Sequence, residues 1–371
     1  MARKPRKNIG IIGLGIIGTR VAATLRAKGF HVYVWNRTPK AAPNFLGSPS
    51  TLAEFCDVIQ LFVADAQALF DVLDAMEGKL NENHTVICSA TVGPEATIEA
   101  AKLVEEHGAK FLDAPFTGSK DAAANGQLVY YIGGEDEVFR GVAPMLEASS
   151  KAIVKIGAVG QAATVKVATN VMAAVNIQTL AEALAIVKQS GVPADIMADA
   201  LEHHGVRSAL LDMKLGKMIH GDYEPHFTVK HMFKDVQLAI HIANSLEIDV
   251  PATTATAGVM FGALNRGWAD LDYSALAKVY ESETDEPSKP AVKAEPKAEI
   301  PLPKAAESEP AKETLGVISP VRAEEIEPLK NGQNKVAAME TKNGDSPKNE
   351  EKKPFPAAFN HIRRWFGADV S

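Results

Sequence analysis

Residues 9–35 read IGIIGLGIIGTRVAATLRAKGFHVYVW. A β-branched run opens the stretch, a helical segment TRVAATLRAKG follows a glycine-rich turn, and the strand HVYVW closes it. Gly13, Gly15 and Gly18 fill the turn in the order G-x-G-x-x-G, with Leu14, Ile16 and Ile17 between them. Each glycine has a physical task. Gly13 permits the tight turn, Gly15 lets backbone amides approach a pyrophosphate, and Gly18 lets the helix pack against the sheet. The helix N-terminus adds partial positive charge for the phosphates. The loop Gly13–Gly18 therefore reads as a dinucleotide cradle.

The end of the second strand says which dinucleotide. An NAD site places an acid there for the ribose hydroxyls, but this chain has Asn36, Arg37 and Thr38. No carboxylate repels a 2′-phosphate, and the planar fork of Arg37 can pair with one. NADP(H) is the expected cofactor, with NAD(H) as the alternative.

Outward from this unit, short strand-like runs alternate with helical ones up to about residue 157: DVIQLFV, HTVICS, AKFLDA, LVYYIG and AIVKIG. That alternation predicts an α/β fold, a doubly wound, mainly parallel Rossmann-type sheet over residues 8–164. SPSTLAEF and GPEATIEAAKLVEEHG carry helix start signals: hydroxyl caps, an early proline and early acids. From Gly160 the strand-like runs vanish, and residues 165–284 read as an all-helical domain for substrate and dimerisation. Its first helix is expected from about Gly160 to Ser190, stopped by Gly191 and Pro193.

Residues 1–7 form a basic arm ahead of the first strand. The charged RKPRK before IGIIGLGIIG imitates a signal peptide, but four glycines interrupt the apolar run. The run is also shorter than the ~18 apolar residues of a membrane span. Residues 285–354, rich in Pro, Lys, Glu and Ala, bury too little apolar surface to offset chain entropy and read as a disordered linker. The end, 355–371, contains FNHIRRWFG, with Phe359, Ile362, Trp365 and Phe366 at helical spacing. It reads either as a short amphipathic helix for a partner or a membrane surface or as an unstructured end with a few chance aromatics.

The 371 residues are 46% hydrophobic and carry a net charge of −7, a composition that supports a real core and argues against a nucleic-acid partner. Cys56 and Cys88 cannot build a disulfide framework and read as small buried hydrophobes, which points to the cytoplasm. No metal-ligand spacing stands out, and the pair His203-His204 reads as a helix end.

The segment GQAATVKVATNVMAAV, from Gly160, holds a lysine within an apolar run. At about 100° per residue, Thr169, Asn170, Ala173 and Asn176 fall within about 80° of Lys166, a narrow polar and small stripe along the helix. Beside a nicotinamide site, a positioned ammonium supplies both the charge and the proton that a reduced carbonyl needs. Lys166 is the candidate general acid, with Asn170 one turn along holding substrate or ammonium. A second loop, DAPFTGSKDAAANGQL, leaves the strand KFLD, where Thr117, Gly118 and Ser119 offer donors to a carboxylate.

Together these pieces resemble the β-hydroxyacid dehydrogenase family over about residues 8–281. The motifs are IGIIGLGIIG, FLDAPFTGS, GxxGQAATVKVATN from Gly157, and FKDVQLA. Gly118-Ser119-Lys120 and GDYEPHFTVKHMFKDVQLAI look most like its glyoxylate and succinic semialdehyde reductase branch, which prefers NADPH. The resemblance implies that Lys166 is catalytic and that Thr117 and Gly118 bind carboxylate beside Asn170. It implies that Thr91 meets cofactor or substrate, that Lys234 faces the cofactor, and that Phe227 and Asp235 line the pocket. Departures are Phe116-Thr117 for the usual Val-Ser, Thr169 for the first of two asparagines, and Ala90 where serine is common.

The resulting expectation is an NAD(P)-dependent oxidoreductase acting on the CH–OH group of donors. It would reduce small carboxylate-bearing aldehydes with NADPH, as a homodimer or higher homo-oligomer. 3-Hydroxyisobutyrate oxidation and tartronate semialdehyde reduction are the alternatives within that chemistry. The alternative of another class is a dinucleotide-binding scaffold recruited through its tail.

Overall fold

The computed structural model describes residues 8–281. The basic arm 1–7, the linker 285–354 and the terminal helix 355–371 of the sequence reading lie outside the described residues.

The elements run β1 (Ile9–Ile12), α1 (Gly18–Ala27), β2 (Val32–Trp35), α2 (Pro49–Phe55), β3 (Val58–Leu61), α3 (Ala66–Met76), β4 (Thr85–Cys88), α4 (Pro94–Glu105), β5 (Lys110–Asp113), β6 (Phe116–Thr117), α5 (Lys120–Ala124), β7 (Leu128–Gly133), α6 (Asp136–Ala148) and β8 (Ser150–Gly157). The helical part follows: α7 (Gln161–Gln189), α8 (Ala194–Glu202), α9 (Ala209–His220), α10 (Val229–Ser245), α11 (Pro251–Asn265) and a 3-10 helix at Tyr273–Tyr280.

The sheet order is β2-β1-β3-β4-β5-β7-β6, with β8 also paired to β7. β2, β1, β3, β4 and β5 are parallel, with Ile9 opposite both Val32 and Val58. β7 runs antiparallel to β5 and β6 and parallel to β8. The sheet is thus mainly parallel with an antiparallel insert at one side. Strands β1, β3 and β4 are buried at every position, while β2 at the edge alternates, which is why the central runs read as continuously apolar. Burying side chains such as Ile11, Ile59 and Leu61 contributes roughly 1.5–3 kcal/mol each.

A second apolar cluster joins Ala174, Ile177, Leu180 and Leu184 of α7 to Met218 of α9, Val236 of α10, Met260 of α11 and Leu276 of the 3-10 helix. By length and composition α7 would suffice to cross a membrane, but it packs against the sheet as well as against the helices that surround it. Its bounds match the expected run from about 160 to 190. The expected polar stripe bends, however: Lys166 is buried, Thr169 and Asn170 are half-buried, and Asn176 is exposed. The strand β6 and the helix α9 escaped the sequence reading. β6 has two residues, and α9 places Lys214 at a buried position, which spoils the apolar pattern.

Candidate active site

Gly13 ends β1 at φ +96°, and a Cβ there would stand 2.2 Å from the Phe62 carbonyl oxygen. A Cβ on Gly18 would stand 2.0 Å from the Gly13 carbonyl oxygen. Gly15 differs, because a Cβ there would meet nothing within 4 Å. Two glycines are therefore demanded by the protein's own backbone, and the third borders open space. Ile17 at the N-cap of α1 makes no side-chain cap, so no side chain of its own closes that end of the helix. This arrangement fits the pyrophosphate of a dinucleotide.

Asn36 acts on the loop itself. Its Oδ1 accepts from the Leu14 N–H at 2.8 Å, and its Nδ2 donates to the Thr38 carbonyl at 2.7 Å. The Lys40 ammonium donates to the Leu14 carbonyl at 2.6 Å. Leu14 is thus pinned at both ends of its backbone, and Arg37 and Thr38 are left exposed beside the cradle. Lys40 was absent from the sequence reading, though its position two residues past Thr38 was the available signal.

At the other end stands Lys166, 8% exposed in the second turn of α7. Its Nζ donates to Asn170 Oδ1 at 2.9 Å, and Asn170 Nδ2 donates to Asp235 Oδ2 at 2.6 Å. Lys234 Nζ lies 2.7 Å from Asp235 Oδ1 and donates to the Thr91 carbonyl at the end of β4. One chain of polar contacts therefore links α7, α10 and the sheet. Only one orientation of the Asn170 amide serves it, with oxygen toward the ammonium and nitrogen toward the carboxylate. Burial pushes the Lys166 pKa down to about 8; the Asp235 charge opposes that fall and the Lys234 charge adds to it.

The substrate loop reaches this chain through Phe116, whose ring centroid is 5.9 Å from Lys166 Nζ. Thr117 is half-buried next to it, and Gly118 sits at φ +138°, where a Cβ would meet Leu128 Cδ2 at 2.9 Å. The Ser119 hydroxyl accepts from the Ala122 N–H and caps α5. Lys120 pairs with Glu224 at 2.8 Å, tying the loop to the segment before α10. Phe227 lies outside the Lys166 contacts: its ring packs 6.1 Å from His231 and 6.3 Å from Tyr273. The sequence reading missed Asp113 as a site residue. Its Oδ2 accepts from the N–H groups of Gly160 at 2.9 Å and Ala163 at 3.1 Å, supplying the cap that a glycine at the head of α7 cannot.

A glycine-cradled dinucleotide end joined to a buried ammonium defines a Rossmann-type nicotinamide oxidoreductase. Residues 8–160 match the NAD binding domain of 6-phosphogluconate dehydrogenase, and residues 160–280 match the NAD-binding domain of NADP-dependent 3-hydroxyisobutyrate dehydrogenase. The chain is 30% identical over 282 residues to the 2-hydroxy-3-oxopropionate reductase of Escherichia coli, covering 74% of this chain and 97% of that one. It is 28% identical over 279 residues to glyoxylate/succinic semialdehyde reductase 2, chloroplastic, of Arabidopsis thaliana, covering 72% and 78%. It is also 28% identical over 284 residues to the cytokine-like nuclear factor N-PAC of Xenopus tropicalis, covering 74% of this chain and only 53% of that longer protein. The chain belongs to the β-hydroxyacid dehydrogenase family, and so to the NAD(P)-dependent oxidoreductases acting on the CH–OH group of donors.

Proposed function

We propose that this protein reduces small carboxylate-bearing aldehydes, glyoxylate and succinic semialdehyde foremost, to hydroxy acids, with NADPH as the preferred reductant. The observation that carries the reading is the Lys166 ammonium, buried and held at 2.9 Å by an asparagine that Asp235 in turn orients. With its pKa pushed down to about 8, it is still charged at neutral pH yet releases a proton far more readily than a free lysine. When bound, the nicotinamide supplies the hydride.

The chain's own residues do the rest. Thr117 and Gly118 hold the substrate carboxylate, so the carbonyl oxygen lies toward Lys166 Nζ. As negative charge builds on that oxygen, Nζ stabilises it and then gives up its proton. Asn170 keeps Nζ in place, and the Asp235 carboxylate offsets one of the two positive charges of Lys166 and Lys234. The Gly13–Gly18 loop and the first turn of α1 hold the pyrophosphate; Arg37 and Thr38 meet the 2′-phosphate, and Thr91 and Lys234 border the nicotinamide. In this reading residues 8–164 carry the cofactor, and residues 165–284 carry substrate and subunit contacts within a homo-oligomer. A cytoplasmic location goes with it, supported by two buried free thiols, Cys56 and Cys88.

The test is a kinetic panel of glyoxylate, succinic semialdehyde and tartronate semialdehyde with NADPH and NADH, and of 3-hydroxyisobutyrate with NADP+ and NAD+. The highest kcat/KM is expected for one of the first two with NADPH. A clear preference for tartronate semialdehyde would favour the second reading, supported by the 30% identity to the Escherichia coli reductase.

A further inference from the structure

Lys214 sits in the middle of α9 at 2% exposure, and its ammonium meets both oxygens of the buried Asp272 carboxylate at 2.7 and 2.8 Å. A buried ion pair is no evidence of stability by itself, because an apolar pair of similar volume often does as well. The remaining hydrogen bonds show what an apolar pair could not do. Asp272 Oδ2 also accepts from the N–H groups of His226 at 2.9 Å and Phe227 at 3.2 Å. Its Oδ1 accepts from the Ser274 N–H at 3.0 Å and the Ser274 hydroxyl at 2.8 Å.

Phe227 is gripped from the other side too. Its carbonyl accepts from the Tyr273 N–H at 3.0 Å, its ring meets the Tyr273 ring edge-on, and Lys214 Nζ lies 4.5 Å over that same ring. The segment 222–227 between α9 and α10 has no regular ladder, so side chains must satisfy its buried N–H groups. Its outer end carries Glu224, paired with Lys120 three residues past Thr117.

We propose that the Lys214–Asp272 pair is a positioning device for substrate: it fixes residues 222–228 so that this segment, tied through Glu224 to Lys120, forms a rigid wall beside the carboxylate loop at Thr117–Lys120. The inference rests on the function proposed above. Such a wall binds ground state and transition state alike, so its loss should raise the KM for aldehyde and spare kcat.

The test uses the full chain carrying Lys214→Met alone and the neutral amide pair Lys214→Gln with Asp272→Asn. Lys214→Met strands a buried carboxylate and is expected to fold poorly; the amide pair keeps the site neutral but loses an acceptor edge facing the backbone donors. In the folded amide pair, the KM for aldehyde should rise about tenfold while kcat and the NADPH Kd, read by fluorescence titration, stay within about threefold. Hydrogen exchange should quicken in residues 222–228 and not in α1 or α7. Unchanged KM and exchange would overturn the proposal, as would a NADPH Kd that worsens in step with KM. Should the wild-type protein turn over none of the aldehydes, the function fails on its own, and exchange decides the pair: selective loosening of 222–228 supports it, uniform or absent loosening overturns it.

Discussion

The two ends of the candidate site are made of different material. At the glycine loop the protein supplies shape: Gly13 and Gly18 are forced by its own carbonyls, and Gly15 borders space where a Cβ would meet nothing within 4 Å. At the lysine end it supplies charge, spread over α7, α10 and the end of β4 and joined by hydrogen bonds between residues 65 and 143 positions apart. A site of backbone shape is written in one short stretch of sequence. A site of buried charge is written in several, none of which means much alone.

The largest effect should come from the lysine end. Lys166→Ala is expected to lower kcat for aldehyde reduction by at least the ~10² that a general acid supplies, about 2.7 kcal/mol, while the NADPH Kd hardly moves. A drop under about tenfold would remove the division of labour between the two ends. The pH profile sharpens the same point. Reduction needs the ammonium, so its kcat/KM should decline as pH rises through about 8, and that for oxidation of the hydroxy acid should climb through the same range.

At the glycine end, two substitutions of the same size should part company. Gly15→Ala has room in the protein and should keep its thermal stability, yet raise the NADPH Kd about tenfold by filling the pyrophosphate's approach. Gly13→Ala meets a carbonyl oxygen at a left-handed φ and should unfold at lower temperature before binding can be compared. If Gly15→Ala leaves the Kd unchanged, the open space beside it is not the cofactor's. Arg37→Ala should do less, raising the KM for NADPH about fivefold with little change for NADH, as expected for one exposed ion pair to phosphate. Equal effects on both nicotinamides would dismiss the 2′-phosphate assignment.

Much of this was legible in the sequence, for identifiable reasons. The mainly parallel sheet and the long α7 follow from alternating and helical runs, and Lys166 with Asn170 stands out as polar within an apolar helix. Asp235 and Lys234 came only through the family resemblance, because adjacent charges on a helix look like any solvated face. Lys214 and Asp272 were invisible. Their meaning lies in a carboxylate that accepts from four different residues, and no local pattern encodes that. The two-residue β6 is likewise too short to show a period.

A last effect, read in stability and not in turnover, concerns the joint between the two ends. Asp113 closes β5 and caps α7 through Gly160 and Ala163, so the sheet and the lysine helix are registered by one carboxylate. Burial pushes its pKa up to about 6, and the N–H groups of Ala163 and Gly160 only partly offset that rise. Because the folded protein binds this proton more tightly than the unfolded chain does, its contribution to stability grows as pH falls from about 6 toward 4 and is lost as pH rises through that window. The whole excursion is on the order of 3 kcal/mol, for a shift of about two units. Asp113→Asn keeps one oxygen to accept both N–H groups and cannot titrate. Its unfolding free energy should therefore sit closest to that of the wild-type protein at pH 8, where the native carboxylate bears its full desolvation penalty, and fall behind as the buffer is taken to pH 5. Urea titrations at the two pH values measure the gap, and a gap that stays constant would mean that Asp113 caps the helix without titrating in this range.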